Sequence, residues 1–178
     1  LILTKSAGIE GTAILASDRE KQLMKAMSAT TLHIAKNFYT QISVVKDALT
    51  AFKTGGVHAM HDPTEGGVSG GIHEMADASN LGVKIFEEDI QVQTETVKIC
   101  DFFKVDPLRL ISSGALLISA EPGFSEKIVN RLKQERIPAS LIGEFLENPQ
   151  DRIIMRKSGK VQTLPRPSFD HLWLALKK

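Results

Sequence analysis

The side chains best suited to chemistry crowd into one stretch, His58 to Asp77, with the sequence HAMHDPTEGGVSGGIHEMAD. Two carboxylates, Asp62 and Glu65, bracket Pro63-Thr64, and glycines follow at positions 66, 67, 70 and 71. A helix that starts on bare backbone offers free N–H groups and the positive end of its dipole, a setting that suits phosphate. The two carboxylates oppose a naked phosphate at that spot, and Mg2+ held through Asp62 would reconcile them. On this reading Asp62, Thr64, Glu65, Gly66 and Gly67 line a substrate or phosphate cleft. The pattern is neither a Gly-Lys-Ser/Thr P-loop nor a GxGxxG dinucleotide turn. A structural reading stands beside it: Asp62 as N-cap, Pro63 at the first helical position and Glu65 closing a capping box. That reading leaves the glycines unexplained, since each costs up to about 1 kcal/mol in a helix relative to alanine.

Other groups carry weaker signals. His58 and His61, three apart on a strand, point to opposite faces, so one metal ion would need a bulge to reach both. His73 and Glu74 fall off the apolar stripe of the following helix and are expected in solvent, with His73 kept as a secondary site candidate. Gly8-Ile9-Glu10-Gly11 is a second glycine-bounded turn onto a helix, where Glu10 and Gly11 serve either close packing or the same cleft. Ser113-Gly114-Ala115 reads as a turn. Cys100, the only cysteine, sits among apolar helix positions as a small buried hydrophobe rather than a nucleophile.

The elements that must position these groups follow from periodicity. Leu1–Thr4 reads as a short strand and Gly8–Ala16 as a helix. Asp18 is expected to cap a second helix, and Ser28–Ala35 is ambiguous. From Ser43 an amphipathic helix carries Val44, Val45, Ala48, Leu49 and Phe52 as its stripe and stops at Gly55-Gly56. Val57–His61 is a strand, and the glycine-rich helix follows with Val68, Ile72 and Met75 inward. A strand at Val83–Phe86, a helix at Thr94–Phe103, a strand at Leu116–Ala120 and a helix at Ser125–Glu135 come next. Leu141–Leu146 is a strand, Ile153–Arg156 and Val161–Leu164 form a hairpin, and Phe169–Leu176 is a short helix bearing the only tryptophan, Trp173. The order strand–helix–strand occurs twice, which predicts an α/β (α+β) domain with a mixed β-sheet covered by helices.

Bulk properties narrow the function. The 178 residues suit a single domain. A formal charge of +1, from 22 basic and 21 acidic residues, gives no basis for a nucleic-acid or anionic-membrane partner. No apolar run reaches the ~18 residues of a membrane span. One cysteine excludes an internal disulfide and fits a cytoplasmic protein.

Taken in order, KSAGIEGTAILA, GGVHAMHDPTEGGVSGGIHEMA, GVKIFEEDI, FKVDPLRLISSGALLISA and LIGEF resemble the C-terminal domain of the aminoimidazole ribonucleotide (AIR) synthase superfamily. The resemblance spans roughly residues 1–165 and is nearest to AIR synthase-related proteins and hydrogenase expression/formation proteins of the HypE type. It implies that residues 1–178 are one such domain, the second half of a homodimeric enzyme whose N-terminal domain supplies much of the ATP site. The start on Leu1 without methionine fits that expectation. It also implies ATP and Mg2+ as cofactors of the whole protein, with the isolated piece catalytically silent. The implied substrate is a small molecule or carbamoyl group with an amide-type oxygen, phosphorylated or dehydrated. Two departures bear on a hydrogenase-maturation role: Glu65 stands where that type has arginine, and Leu176-Lys177-Lys178 holds no cysteine where that type carries its substrate. A non-catalytic binding or regulatory module with a degenerate cleft is the reading these departures motivate.

Overall fold

The computed structural model describes residues 1–178. Its elements are β1 (Ile2–Thr4), α1 (Ile9–Asp18), α2 (Glu20–Leu23), α3 (Ala29–Lys36), α4 (Val45–Thr54), β2 (Val57–His61), α5 (Gly67–Ser79), β3 (Gly82–Phe86) and α6 (Thr94–Phe103). The chain continues with β4 (Leu117–Ala120), α7 (Pro122–Gln134), β5 (Ala139–Leu141), β6 (Gly143–Leu146), β7 (Arg152–Met155), β8 (Val161–Thr163) and α8 (His171–Leu176).

The strands form two four-stranded sheets, β2-β4-β1-β5 and β6-β3-β7-β8, covered by helices. The first is antiparallel throughout, while β3 and β7 make the second mixed. Residues 141–146, expected as one strand, divide between the sheets at Ile142. Its N–H donates to Leu1 O (2.9 Å), and its carbonyl accepts from Phe86 N–H (2.8 Å), so this one residue joins them. Next to it, a Cβ on Gly143 would lie 2.1 Å from Lys84 O; only glycine admits β3 this close. Because of the division, β2 and β3 lie in different sheets, and α5 between them is no crossover within one sheet. The second strand–helix–strand unit, β4-α7-β5, stays in the first sheet with β1 between its strands.

The apolar side chains sort into three clusters. Val68, Ile72, Met75 and Ala76 of α5 pack on Leu3, Leu117, Val83, Ile85 and Ile154 between the sheets. On the far face of the first sheet, Ala51 of α4 and Ile128, Val129 and Leu132 of α7 cover Ile2, Ile118 and Ala139. The third cluster unites α1, α3, α6 and α8 through Leu15, Leu32, Phe103, Leu110 and Leu172.

Two expectations need correction, and one open stretch is assigned. Asp18 ends α1 rather than capping a second helix, and α2 is a single turn begun at Arg19. The ambiguous 28–35 stretch is helical because the Ser28 hydroxyl accepts the Thr31 N–H (3.1 Å) and caps α3. In α4 the predicted stripe splits. Val45, Leu49 and Phe52 are 63%, 51% and 69% exposed, while the inward face carries Ala51 and the buried carboxylate Asp47. Asp47 is drawn in by the Thr4 hydroxyl (2.7 Å) and Lys5 Nζ (3.3 Å). Apolar periodicity does not register a polar anchor of that kind.

Candidate functional site

Three turns singled out in the sequence meet in space. The backbone leaves β1 through Lys5, held at φ 54°, and enters α1 through Gly8 at φ 73°. Gly8 N–H donates to Ser112 Oγ (2.7 Å), and Ser112 N–H donates in turn to Pro63 O (3.1 Å). Gly11 N–H reaches Ile111 O (3.0 Å), and Gly114 N–H reaches Asp62 Oδ1 (3.3 Å). Lys5 Nζ donates to the carbonyls of Gly114 (2.7 Å), Ser43 (2.8 Å) and Gln41 (3.0 Å), pinning the third turn against the first. Segments 5–11, 62–67 and 110–115 are thus stitched into one wall.

Two carboxylates occupy that wall. Glu10 is half-buried, and its Oε2 is a fully buried acceptor with no partner. Burial first, and then the nearby charge of Glu10, hold the Asp62 carboxyl above the usual carboxylate range, against the lowering effect of the Gly114 hydrogen bond. A carboxylate that is costly to ionise beside a second one with an unsatisfied oxygen is a donor set that a hard cation would relieve. Lys5 cannot do so alone, because its ammonium is already shared among three carbonyls and Asp47.

The glycine-rich start of α5 differs from both readings of the sequence. Asp62 does not cap the helix; its carboxylate faces Gly114 instead. The N-cap is Gly66, at φ 81° and without a side-chain bond from Asp62 or Glu65, so the capping box does not form. Positive φ at Gly66 and Gly67 turns the chain away from the geometry that a box at Asp62 requires. Nor do the glycines leave open space. A Cβ on Gly67 would lie 2.4 Å from Leu110 O, and one on Gly66 would lie 3.2 Å from Pro167. They admit the 108–110 backbone and the C-terminal segment. The Gly66 N–H is taken as well, donating to Asp170 Oδ2 at 2.7 Å. Asp170 Oδ1 accepts from Leu172 N–H (2.7 Å), so one carboxylate caps α5 and α8 together. The side chains of Thr64 and Glu65 are exposed on the rim.

His73 is also placed otherwise than its periodicity implies. It is 3% exposed, its Nε2 lies 3.2 Å from Leu164 O, and its Nδ1 is buried without a partner. The segment after β8 covers it and turns an apparent solvent face into an interior one. His58 and His61 both border a cleft of about 530 Å³ with Met60, Glu74, Met75 and Phe145, aided by a register shift in β2 between Val57 and Ala59. They engage separate carboxylates, Glu121 at 3.7 Å and Glu74 at 2.5 Å. Cys100 is buried, and burial pushes its thiol up to about 12.

Sequence reasoning passed over Lys5, Ser112 and Asp170. Asp170 is legible as an N-cap before the apolar run of α8, but its bond to Gly66 spans 104 residues and leaves no local signal.

The family described as AIR synthase related protein, C-terminal domain, matches residues 1–156. A hydrogenase expression/formation protein of Methanocaldococcus jannaschii is 29% identical over 140 residues, covering 75% of this chain and 42% of that protein. The carbamoyl dehydratase HypE of Escherichia coli (strain K12) is 31% identical over 100 residues, covering 55% of this chain and 30% of that protein. A crystal structure of E. coli HypE superposes with a TM-score of 0.77 at 25% identity, covering 94% of this chain and 50% of that one. A structure of HypE in complex with ATP superposes at 0.70 with 21% identity, over 94% of this chain and 50% of that one. The chain thus spans half or less of the length of these relatives. The span of the family match and the shared fold lead to one conclusion: this chain belongs to the family of AIR synthase-related C-terminal domains.

Proposed function

We propose that the chain is the substrate-cleft domain of an ATP-dependent AIR synthase-related enzyme that phosphorylates or dehydrates an amide- or carbamoyl-type small molecule. The observation that carries this reading is the pairing of Asp62 with Glu10, whose buried Oε2 has no partner, on a wall built from three turns. Asp62 and Glu10 would hold Mg2+, which supplies charge neutralisation between the carboxylates and a nucleotide phosphate. Lys5 acts by position, fixing Gly114 and through it the Asp62 carboxylate. Thr64 and Glu65, on the exposed rim, contact the acceptor, with Glu65 setting specificity by its charge. The remaining nucleotide ligands come from an N-terminal domain of the same protein, in a homodimer. HypE, crystallised with ATP and also in a complex with HypF, is the relative that suggests both a nucleotide and a protein partner.

Binding of ATP·Mg2+ to the 178-residue chain, and to the same chain joined to its N-terminal domain, tests the proposal by calorimetry. The longer protein binds and the chain alone does not; Glu10→Gln and Asp62→Asn in the longer protein each weaken Mg2+-dependent binding about ten-fold or more. Equal binding by both lengths, or no effect of either substitution, overturns it.

A second reading, hydrogenase maturation on a partner's cysteine, is favoured by one observation. The only thiol among these 178 residues is buried and held protonated, so cysteine-borne chemistry would draw on a sulfur outside them. It predicts co-purification with such a partner.

A further inference from the structure

Residues 164–178 run as a strap across the start of α5 and on to the helical cluster. Ser69 Oγ donates to Pro165 O (2.5 Å), Arg166 pairs with Asp77 (2.8 Å), and Pro167 covers Gly66 and Gly70. Asp170 then takes the Gly66 N–H, and Arg19 and Lys178 bond the far end, to Leu176 O and Phe103 O respectively.

Two of the bonds that hold this strap come from buried histidines, and neither ring has a partner for a second proton. His73, 3% exposed, must donate through Nε2 to Leu164 O, since a carbonyl only accepts; its Nδ1 is then an unprotonated atom buried without a partner. A proton there would create an interior N–H with no acceptor. His171, 8% exposed, accepts the Asp106 N–H on Nδ1 (2.8 Å), so a proton on that atom sets donor against donor and abolishes the bond.

The surroundings do not compensate. His73 faces Arg166 from the strap, Arg152 from β7 and Asp77 from α5, and Asp77 already pairs with both arginines. His171 faces Arg109 as well as Asp106 and Asp170, and both carboxylates already accept backbone N–H groups. Burial first, and then these arginines, keep both imidazoles below the ordinary histidine value.

We propose that residues 164–178 form an acid-released strap, freed when His73 and His171 take up protons, which withdraws Asp170 and uncovers the Gly66 amide at the start of α5. Uptake of two protons breaks the Asp106 link and leaves a buried, unpaired N–H on His73 beneath the strap, while the core of α5 keeps its apolar packing. Local opening of a segment that belongs to neither sheet is the least costly motion the fold offers.

Trp173, the only tryptophan, sits in α8 and reports on the strap directly. Its acrylamide quenching and emission maximum, followed between about pH 8 and 5, should show a rise in the quenching constant of about two-fold while far-UV ellipticity holds. The double variant His73→Gln, His171→Asn keeps a donor at the Nε2 position and an acceptor at the Nδ1 position and cannot take a proton. Its quenching should stay flat. A flat wild-type profile, a double variant that follows the wild type, or ellipticity lost in step with fluorescence overturns the proposal. If the double variant does not fold, the single variants decide. A reduced rise in either supports the strap, and a wild-type rise in both sinks it.

Discussion

Asp62 shows how a residue suited to binding can be a burden to the fold that holds it. Its carboxyl is raised above the usual range by burial and by Glu10, so the folded chain binds its proton more tightly than the unfolded chain does. By linkage, the contribution of this group to stability is fully present below the unfolded value near pH 3.8 and is lost as pH rises through the folded value. At pH 7 an ionised Asp62 therefore works against folding. Asp62→Asn keeps an acceptor for the Gly114 N–H and removes the charge. Urea denaturation at pH 7 should give a higher midpoint for the variant than for the wild type, with the gap closing near pH 4 and below. The same substitution weakens the Mg2+-dependent binding proposed above, so stability and binding move in opposite directions. A lower midpoint at pH 7 would show that Asp62 is a structural anchor rather than a strained ligand. The sequence made Asp62, Gly66 and Gly67 conspicuous, since a proline and four glycines flag an unusual backbone. It did not reveal what the bare backbone admits, because Leu110 O, Pro167 and Asp170 arrive from segments about 40 to 100 residues away.

At the scale of elements, apolar periodicity located nearly every helix and strand yet misjudged which side of α4 faces inward. Five apolar residues at 44, 45, 48, 49 and 52 fit either of two stripes, and the choice between them was made by Asp47. Its carboxylate is 2% exposed, accepts from the Thr4 hydroxyl and lies 3.3 Å from Lys5 Nζ; the same threonine Oγ accepts the Leu116 N–H. This network ties α4 to β1 and to the entrance of β4, the elements that also carry Lys5 toward the candidate site. Removing the carboxylate leaves the buried Thr4 hydroxyl and the partly buried Lys5 ammonium each short of a partner, although Lys5 keeps its three carbonyls. Asp47→Ala should therefore cost about 2–4 kcal/mol, whereas Leu49→Ser on the exposed stripe should lie within about 0.5 kcal/mol of wild type. Chemical denaturation of both variants checks the pair. A large loss for Leu49→Ser together with a small one for Asp47→Ala would mean that α4 is rotated from the orientation described. His73 was misjudged for a related reason: the face opposite the apolar stripe of α5 is covered by the strap, and coverage by a distant segment leaves no period in the helix itself.

For the molecule as a whole, the sheets act as one body because the chain passes directly from β5 of one to β6 of the other through Ile142. Ile142 donates to Leu1 on one side and accepts from Phe86 on the other, and the core between the sheets takes side chains from both, Leu3 and Leu117 with Val83, Ile85 and Ile154. Neither sheet has a complete apolar layer without its neighbour and α5, so unfolding should be a single transition. The weak point of the join is Gly143, where the backbone of β3 passes so close that a methyl group would sit 2.1 Å from Lys84 O and 2.8 Å from the Ile85 Cα. Those are backbone atoms held in the β3–β6 register Ile85↔Gly143 and cannot turn aside as a side chain would. Gly143→Ala must separate β6 from β3, and by the cost of overpacked or broken cores it should destabilise the domain by about 3 kcal/mol or more. Urea melts followed by far-UV ellipticity and by Trp173 fluorescence distinguish the outcomes. With one cooperative body, both signals shift to lower urea together, even though Trp173 lies in α8, in the helical cluster. If the sheets were independent, ellipticity would move while the tryptophan transition stayed in place. Coincident shifts would mean that the wall carrying Glu10 and Asp62 draws its rigidity from the whole fold, since its three turns leave β1, β2 and the approach to β4, all strands of the first sheet.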